Sequence, residues 1–330
     1  MASLSMDGKD NSFVPSIDIS PFLSDPNSPS VSYIVEKVRG ACIKTGFFQI
    51  TGHGLSEEVQ KELFQASQKF FALPMQEKLK LDAQKQTSRR GYDVLASQTY
   101  HADILPDLKE GFYVGHDLSP EDPAVRAQRF FMGPNVWPDE ALLASKDFRE
   151  PVERYFAAVN GLALKLLELI ARTLPYGPDI FSRFSTGYVV APLRMLHYPP
   201  AKPVAGNGTQ LGAGPHTDFG AITLLLQDDN PGLEVFNTQR NVFVPIEPTP
   251  GALVFNVGDM LSAWTRGEYK SSVHRVINKR PTDRYSVAFF FDGNLDCSLD
   301  PLDGSGSVTE NWTVEKHMIK RITDSYGKKD

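Results

Sequence analysis

The second half of this 330-residue chain is a series of short segments that resemble β-strands, and this series limits the possible folds more than any other feature. Eight segments are predicted, at residues 189–198, 210–214, 221–227, 233–237, 242–246, 252–256, 272–278 and 284–291. Turn-forming pairs such as Pro231-Gly232 and Pro250-Gly251 separate them, and no helix is predicted between them. Strands of this length and spacing predict a β-sandwich or barrel of the jelly-roll kind.

The half of the chain that precedes these strands is predicted to be mainly helical. Helical patterns occur at residues 30–44, 56–72, 75–81 and 152–174. Along the longest pattern, apolar residues recur at helical spacing and form one stripe: Leu162, Leu166, Leu169, Ile170 and Leu174. Such a stripe predicts a scaffold helix that packs against a sheet.

The segments between the helices are assigned from their composition. Residues 14–19 and 46–50 are predicted to be short strands, the second of which is buried. Residues 84–98 are polar and contain Arg89-Arg90-Gly91, which indicates a surface loop. The proline-rich residues 123–138 are predicted to be irregular.

The expected fold is therefore mainly β with flanking helices, and its core is a double-stranded β-helix, or jelly roll. Residues 1–185 are interpreted as a mostly helical N-terminal region. Residues 186–330 are interpreted as the jelly-roll core, closed by a helix at 311–325. We expect the two regions to form one integrated unit.

Composition and charge exclude several classes of protein. The 34 lysines and arginines and 40 aspartates and glutamates give a formal net charge of −6, so the basic surface of a nucleic-acid binder is not expected. The longest apolar runs are far too short to span a bilayer, and the polar N-terminus does not resemble a signal peptide. Cys42 and Cys297 predict neither a disulfide framework nor a cysteine zinc site. We therefore expect a cytoplasmic protein that binds neither membranes nor nucleic acid.

Two histidines and one aspartate in the β-rich half have the pattern of a metal site. His216 and Asp218 are two residues apart, so in an extended segment their side chains project to the same face. His274 lies on a later predicted strand. Two histidines and one carboxylate form the facial triad that binds non-haem Fe(II). Zinc enzymes commonly place such ligands in a His-Glu-x-x-His helix, and this motif does not occur in the sequence.

An arginine on the last predicted strand indicates an anion site. Arg284 and Ser286 share one face of this strand, which continues as the apolar run Val287–Phe291. An arginine on a buried strand requires an anionic partner.

These motifs resemble the Fe(II)/2-oxoglutarate-dependent dioxygenase superfamily. The branch that is most similar includes isopenicillin N synthase, plant flavonoid and hormone oxygenases, and thymine 7-hydroxylase. Besides His216-x-Asp218, His274 and Arg284-x-Ser286, the resemblance rests on residues 14–19, 46–54, 70–74, 193–200 and 256–259, and on Lys78. It covers nearly the whole chain.

The resemblance implies a role for each motif. His216, Asp218 and His274 would bind Fe(II), and no catalytic side chain is expected beyond this metal site. Arg284, Ser286 and Tyr198 would bind the remote carboxylate of 2-oxoglutarate. O₂ would be the second co-substrate, and ascorbate would support activity.

The resemblance to thymine 7-hydroxylase also implies a substrate pocket, formed by Arg194, Phe219, Asn256 and Phe290. Two aromatic rings could sandwich a planar ring, while arginine and asparagine could hydrogen-bond to its polar groups. Period-two alternation places Arg194 and Tyr198 on one face of their strand and His197 on the other, so His197 is interpreted as a packed histidine. Four further histidines, His53, His101, His116 and His317, are interpreted as surface or structural residues.

The expected function is oxidation of a C–H bond in a small aromatic or heterocyclic molecule, with release of succinate and CO₂, in specialised metabolism. Hydroxylation, desaturation and ring rearrangement all remain open. Three alternatives are a nucleobase hydroxylase of the thymine type, an oxidase that does not use 2-oxoglutarate, and a non-catalytic binder with the same fold.

Overall fold

The computed structural model describes residues 13–96, 106–201, 203–204, 208–306 and 311–326. Within these residues the α-helices are α1 (Ser20–Ser24), α2 (Val31–Lys44), α3 (Glu57–Phe71), α4 (Met75–Leu79), α5 (Pro123–Arg126), α6 (Arg149–Arg172), α7 (Asp259–Trp264) and α8 (Val314–Tyr326). Two short 3₁₀ helices lie at Ala83–Lys85 and Ser145–Asp147. The apolar stripe predicted from the sequence lies on α6 and just beyond its end, and all of its residues are buried.

The strands form one large sheet, one small sheet and two short pairs. In chain order they are β1 (Ser16–Asp18), β2 (Phe47–Thr51), β3 (Gly91–Asp93), β4 (Glu110–Val114), β5 (Val189–Val190), β6 (Leu193–Tyr198), β7 (Pro203–Val204), β8 (Gly208–Thr209), β9 (Ala213–His216), β10 (Ile222–Gln227), β11 (Leu233–Asn237), β12 (Val242–Pro245), β13 (Leu253–Val257), β14 (His274–Val276), β15 (Arg284–Phe291) and β16 (Gly293–Asn294). The large sheet has the order β1-β2-β13-β10-β15-β6-β4-β3, and the small sheet has the order β12-β11-β14-β9. Strands β1 to β4 belong to the large sheet, so the N-terminal half of the chain contributes to the same sheet as the jelly-roll strands.

The large sheet is covered on both faces. On one face it packs against the helices, and Phe70 of α3 lies 4.5 Å from Phe112 of β4 between ring centroids. On the other face it meets the small sheet, and the apolar residues between the sheets are Phe47, Leu196, Tyr198, Ala213, Leu233, Val235, Ile246, Val254, Val276 and Ala288. This two-sheet core with flanking helices confirms the predicted fold class.

Three details differ from the sequence prediction. A helix, α7, lies between β13 and β14, where no helix was predicted. A short helix, α5, lies within the segment that was predicted to be irregular. The surface loop predicted at 84–98 is wrong for Arg90, Gly91 and Tyr92, which are buried. Arg90 can be buried because its two Nη atoms donate to the carbonyls of His116 and Phe131, which replace part of its hydration.

The remaining sequence predictions concern the cysteines, membrane-spanning segments, the division of the chain and its cellular location. Cys42 and Cys297 are both buried free cysteines. Among the described residues, no helix is long and apolar enough to cross a membrane. The division of the chain at residue 185 and the cytoplasmic location both stay predictions.

Candidate active site

The structure brings the three predicted metal ligands together at the edge of the small sheet. His216 ends β9 and His274 begins β14, and the two are directly opposite each other in this antiparallel pair. Asp218 follows two residues after β9. Its Oδ1 lies 3.8 Å from Nε2 of His216 and 3.6 Å from Nε2 of His274. One ligand atom from each residue lies within 4.8 Å of the others, so a single ion could contact all three.

Hydrogen bonds orient both histidines for this task. Nδ1 of His216 donates to the carbonyl of Gly214 over 2.7 Å, and Nδ1 of His274 donates to the carbonyl of Ser272 over 3.2 Å. Because a carbonyl can only accept, the proton lies on Nδ1 and the lone pair of Nε2 faces Asp218. Burial and the adjacent His274 lower the pKa of His216 to about 3, which favours the neutral imidazole that binds metals.

In the third side chain, Asp218, hydrogen bonds fix one carboxylate oxygen, and the other oxygen faces the two histidines. Its Oδ2 accepts a hydrogen bond from Thr223 Oγ1 at 2.6 Å and another from Asn256 Nδ2 at 2.7 Å. Burial alone would raise the pKa of Asp218, but the two histidines and these hydrogen bonds lower it below its usual range. The donor set of two imidazole nitrogens and one carboxylate oxygen fits Fe(II).

A cavity of about 630 Å³ extends from these three residues between the two sheets. Alternate residues of β6 and β15 line it: Arg194, Leu196, Tyr198, Ser286, Ala288 and Phe290. His197 lies on the opposite face of β6, where it contacts Glu110 and Asp283. The predicted alternation along β6 is therefore confirmed.

A buried arginine with unused hydrogen-bonding capacity lies beside Tyr198, at one end of the cavity that Tyr198 lines. Arg284 is fully buried, and it donates through Nε to the carbonyl of Asn230 and through Nη2 to Gln227 Oε1. Its guanidinium lies over the Tyr198 ring, 4.9 Å from the centroid. Within the described part of the chain, Arg284 Nη1 and Ser286 Oγ have no hydrogen-bond partner. Two orphaned donors on neighbouring inward-facing positions of one strand fit the carboxylate of an anionic small molecule.

The four residues predicted to bind substrate all line the cavity, but two of them also have protein partners. Arg194 forms a buried ion pair with Asp93 and lies 4.8 Å above the Tyr113 ring centroid. Asn256 donates its amide to Asp218, which links it to the candidate metal site. Phe219 and Phe290 are half-buried on the cavity wall.

Where the structure describes them, the histidines that were interpreted as surface or structural do not belong to the candidate metal cluster. His53 is buried and contacts the Gly251 carbonyl, while His317 contacts the Phe219 carbonyl. His116 packs edge-on against Phe156. His101 lies outside the described residues.

Three polar residues of the cavity region were not identified from the sequence. Lys109 and Asp107 form a buried ion pair of 2.7 Å, and Asp107 also accepts the Gly214 N–H. They belong to no regular pattern, so no sequence signal pointed to them. Asp292 also lines the cavity, and burial and the charge of Asp218 raise its pKa to about 8. The period-two pattern that runs from Arg284 through Phe290 would have identified it.

Models of two known protein families match the two halves of the chain. A family model described as the non-haem dioxygenase in morphine synthesis N-terminal region matches residues 14–140. A model of the 2OG-Fe(II) oxygenase superfamily matches residues 190–293.

Individual proteins match over nearly the full length. The chain is 51% identical over 328 residues to the 2-oxoglutarate-dependent dioxygenase citB of Monascus ruber, covering 97% of this chain and 98% of that protein. It is 46% identical over 327 residues to the clavatol oxidase claD of Penicillium crustosum, covering 95% and 97%. A crystal structure of a full-length Neurospora crassa protein in complex with alpha-KG and thymine superimposes with a TM-score of 0.79 at 25% identity, covering 96% and 98%.

Proposed function

This chain belongs to the 2OG-Fe(II) oxygenase superfamily and is a 2-oxoglutarate-dependent dioxygenase, and from this premise we propose how its cavity acts. The resemblance predicted from the sequence is thereby confirmed, and an oxidase independent of 2-oxoglutarate and a non-catalytic binder are not favoured. A nucleobase hydroxylase is not favoured either, since the relatives at 46–51% identity are fungal dioxygenases such as clavatol oxidase.

In this proposal His216, Asp218 and His274 hold Fe(II) through Nε2, Oδ1 and Nε2. When bound, the iron supplies oxidative chemistry in which O₂ and 2-oxoglutarate are consumed, succinate and CO₂ are released, and a substrate C–H bond is oxidised. The protein's own contribution is to fix the ligand orientation. The carbonyls of Gly214 and Ser272 hold the two imidazoles, and Thr223 and Asn256 hold the carboxylate.

Arg284 and Ser286 bind the remote carboxylate of 2-oxoglutarate in this proposal, with Tyr198 completing the pocket. The observation that carries it is the pair of orphaned donors, Arg284 Nη1 and Ser286 Oγ. Ser286 lines the cavity that also contains the metal ligands, and Arg284 lies over Tyr198, another lining residue. A buried guanidinium without an anion is costly, so a bound carboxylate would stabilise this end of the cavity.

We assign the remaining space to a small aromatic or heterocyclic substrate. Phe219 and Phe290 offer aromatic surface, and Arg194 offers hydrogen-bond donors. The Neurospora crassa structural neighbour has been solved with thymine, a planar ring of suitable size. Similarity to clavatol oxidase supports a role in fungal specialised metabolism. Whether the product is hydroxylated, desaturated or rearranged depends on the substrate.

Anaerobic calorimetric titration of 2-oxoglutarate into the Fe(II)-loaded protein tests the proposal. Arg284→Gln removes at least one charged hydrogen bond, so we expect about 10- to 100-fold weaker binding. Arg280→Gln is the matched control, because Arg280 is an exposed arginine on the preceding turn. Equal affinity in both variants, or no binding by the wild type, would contradict the proposal. Succinate release in the presence of ascorbate and a candidate substrate provides the second readout.

A further inference from the structure

Asp292 lies in the substrate half of the cavity, far from the proposed co-substrate end. It follows β15 directly and continues the inward-facing series that begins at Arg284 and ends at Phe290. Asp292 lies eight positions after Arg284, which corresponds to roughly 26 Å of extended chain. A 2-oxoglutarate molecule held by Arg284 is too short to reach Asp292.

The Asp292 carboxyl group is buried, and one of its oxygens lacks a hydrogen-bond partner. The residue is 2% exposed, and its Oδ1 has no partner in the described part of the chain. Its backbone N–H is bonded to the carbonyl of Val190, so the strand end is fixed. Buried carboxyl oxygens are nearly always bonded, so an orphan on a cavity wall indicates that a ligand supplies the missing bond.

Gly220 makes room for this carboxyl group. A Cβ atom on Gly220 would overlap with Asp292 Oδ1, so only glycine permits the observed position of the carboxyl group. Gly220 also lines the cavity next to Phe219. The local backbone therefore accommodates a carboxyl group at this point, although it contributes no hydrogen bond to Oδ1.

The surrounding charges select the kind of group that Asp292 can bind. Asp218 disfavours a second anion nearby. Arg321 lies over the Phe219 ring, 4.4 Å from the centroid, and Arg194 lines the same cavity. Each has its own carboxylate partner, Asp259 and Asp93, so neither arginine requires an anionic ligand. A neutral donor fits this position, because Asp292 Oδ1 retains a lone pair in both protonation states.

We propose that Asp292 is a specificity-determining residue that accepts a hydrogen bond from a neutral donor on a planar ring bound beside Phe219 and Phe290. The donor is either a ring hydroxyl or a ring N–H. This assignment rests on the proposed function, since it requires that the substrate occupies this end of the cavity.

The first test is the stability of the metal-free, ligand-free protein at pH 7. Asp292→Val removes the orphaned carboxyl group, so we expect its thermal unfolding midpoint to equal or exceed that of the wild type. Asp179→Val, at an exposed site, is the matched control. A clearly lower midpoint for Asp292→Val alone would identify Asp292 as a structural residue and would overturn the proposal.

The second test is ligand discrimination, measured by calorimetry without metal. The three hydroxyacetophenone isomers are compared with acetophenone, and thymine is compared with 1,3-dimethylthymine. We expect the wild type to bind at least one donor-bearing probe about tenfold more tightly than its matched partner, and Asp292→Val to abolish this ratio. The pair that shows the effect identifies the donor as hydroxyl or N–H.

The outcomes separate this inference from the proposed function. If the wild type shows no preference in either pair, or if Asp292→Val keeps the preference, the role of Asp292 is contradicted. If 2-oxoglutarate also fails to bind the Fe(II)-loaded wild type, the proposed function fails as well. If 2-oxoglutarate binds the wild type and Asp292→Val alike while the preference is absent, only the inference fails.

Discussion

Thr223 donates its hydroxyl hydrogen to Oδ2 of Asp218 over 2.6 Å, and this contact joins the two sheets at the candidate metal site. Thr223 lies on β10 of the large sheet, directly opposite Asn256 on β13, which donates to the same oxygen. The two donors leave Oδ1 as the oxygen that faces the histidines. The large sheet therefore orients a ligand that follows a strand of the small sheet.

The Thr223→Val substitution keeps the shape of the side chain and removes this hydrogen bond. Loss of an outer hydrogen bond to a metal ligand typically lowers metal affinity by about 10- to 100-fold, and we expect a decrease in this range. Competition between the protein and a chelator for Fe(II) under anaerobic conditions measures the change. Thr249→Val, at an exposed threonine, is the control. Unchanged affinity in Thr223→Val would show that Asn256 alone is sufficient to orient Asp218.

Local patterns in the sequence were sufficient to predict most strands of the second half of the chain and to select His216, Asp218 and His274, which the structure brings together. Period-two alternation correctly placed Arg194 and Tyr198 towards the cavity and His197 away from it. The burial of Arg90 could not be predicted in this way. Its guanidinium donates to Asn135 and to the His116 carbonyl, which are 45 and 26 residues away in the chain, so only the folded structure shows these partners.

The side-chain contacts around the candidate site could not be predicted from the sequence either. Asn256 was assigned to substrate on the basis of family resemblance, whereas the structure shows its amide bonded to Asp218. The Lys109–Asp107 pair lies just before β4, where neither spacing nor composition identifies it. These hydrogen-bond and ion-pair partners are brought together by tertiary packing, which local patterns in a single sequence do not show.

We expect the Asp107 side chain to stabilise the fold and to fix the backbone next to the candidate metal site. It pairs with Lys109 and accepts the N–H of Gly214, two residues before His216. Asp107→Ala leaves a buried ammonium group without its Asp107 counter-ion, so we expect the unfolding free energy to fall by about 3–5 kcal/mol. Urea unfolding measures this loss. The double variant Asp107→Ala/Lys109→Met should recover much of it, and an equally unstable double variant would contradict the role of the ion pair.

Helix α8 is expected to restrain the cavity wall through Arg321. This residue lies over the Phe219 ring and forms an ion pair of 2.9 Å with Asp259. Arg321→Ala removes both contacts, so the segment around Phe219 should open more often. Hydrogen–deuterium exchange should then be several-fold faster at residues 217–221 than in the wild type. Lys320→Ala, at a neighbouring exposed position, should leave this rate unchanged. Equal exchange in the two variants would exclude a restraining role for Arg321.

The pH dependence of stability should reflect Glu110, which lies on the helix-covered side of the large sheet. Burial alone would raise the pKa of Glu110, but hydrogen bonds from His197, Lys78 and Tyr92 outweigh it and lower the pKa below its usual range. The folded state therefore binds fewer protons at this group than the unfolded state in mildly acidic solution. It follows that Glu110 stabilises the fold above the unfolded-state pKa, and that this stabilisation is lost as the pH falls through the folded-state pKa.

The Glu110→Gln substitution tests this pH dependence. At pH 7 the variant loses the charge that pairs with Lys78, so we expect its unfolding free energy to be lower by about 3–5 kcal/mol. Below the ordinary pKa of glutamate, about 4.3, the difference from the wild type should shrink, because the unfolded wild type binds a proton there that the folded carboxylate binds only at lower pH. Urea unfolding at pH values between about 3 and 7 measures the difference, with the exposed Glu140→Gln variant as control. A difference that stays constant, or that grows towards acid pH, would contradict the assignment.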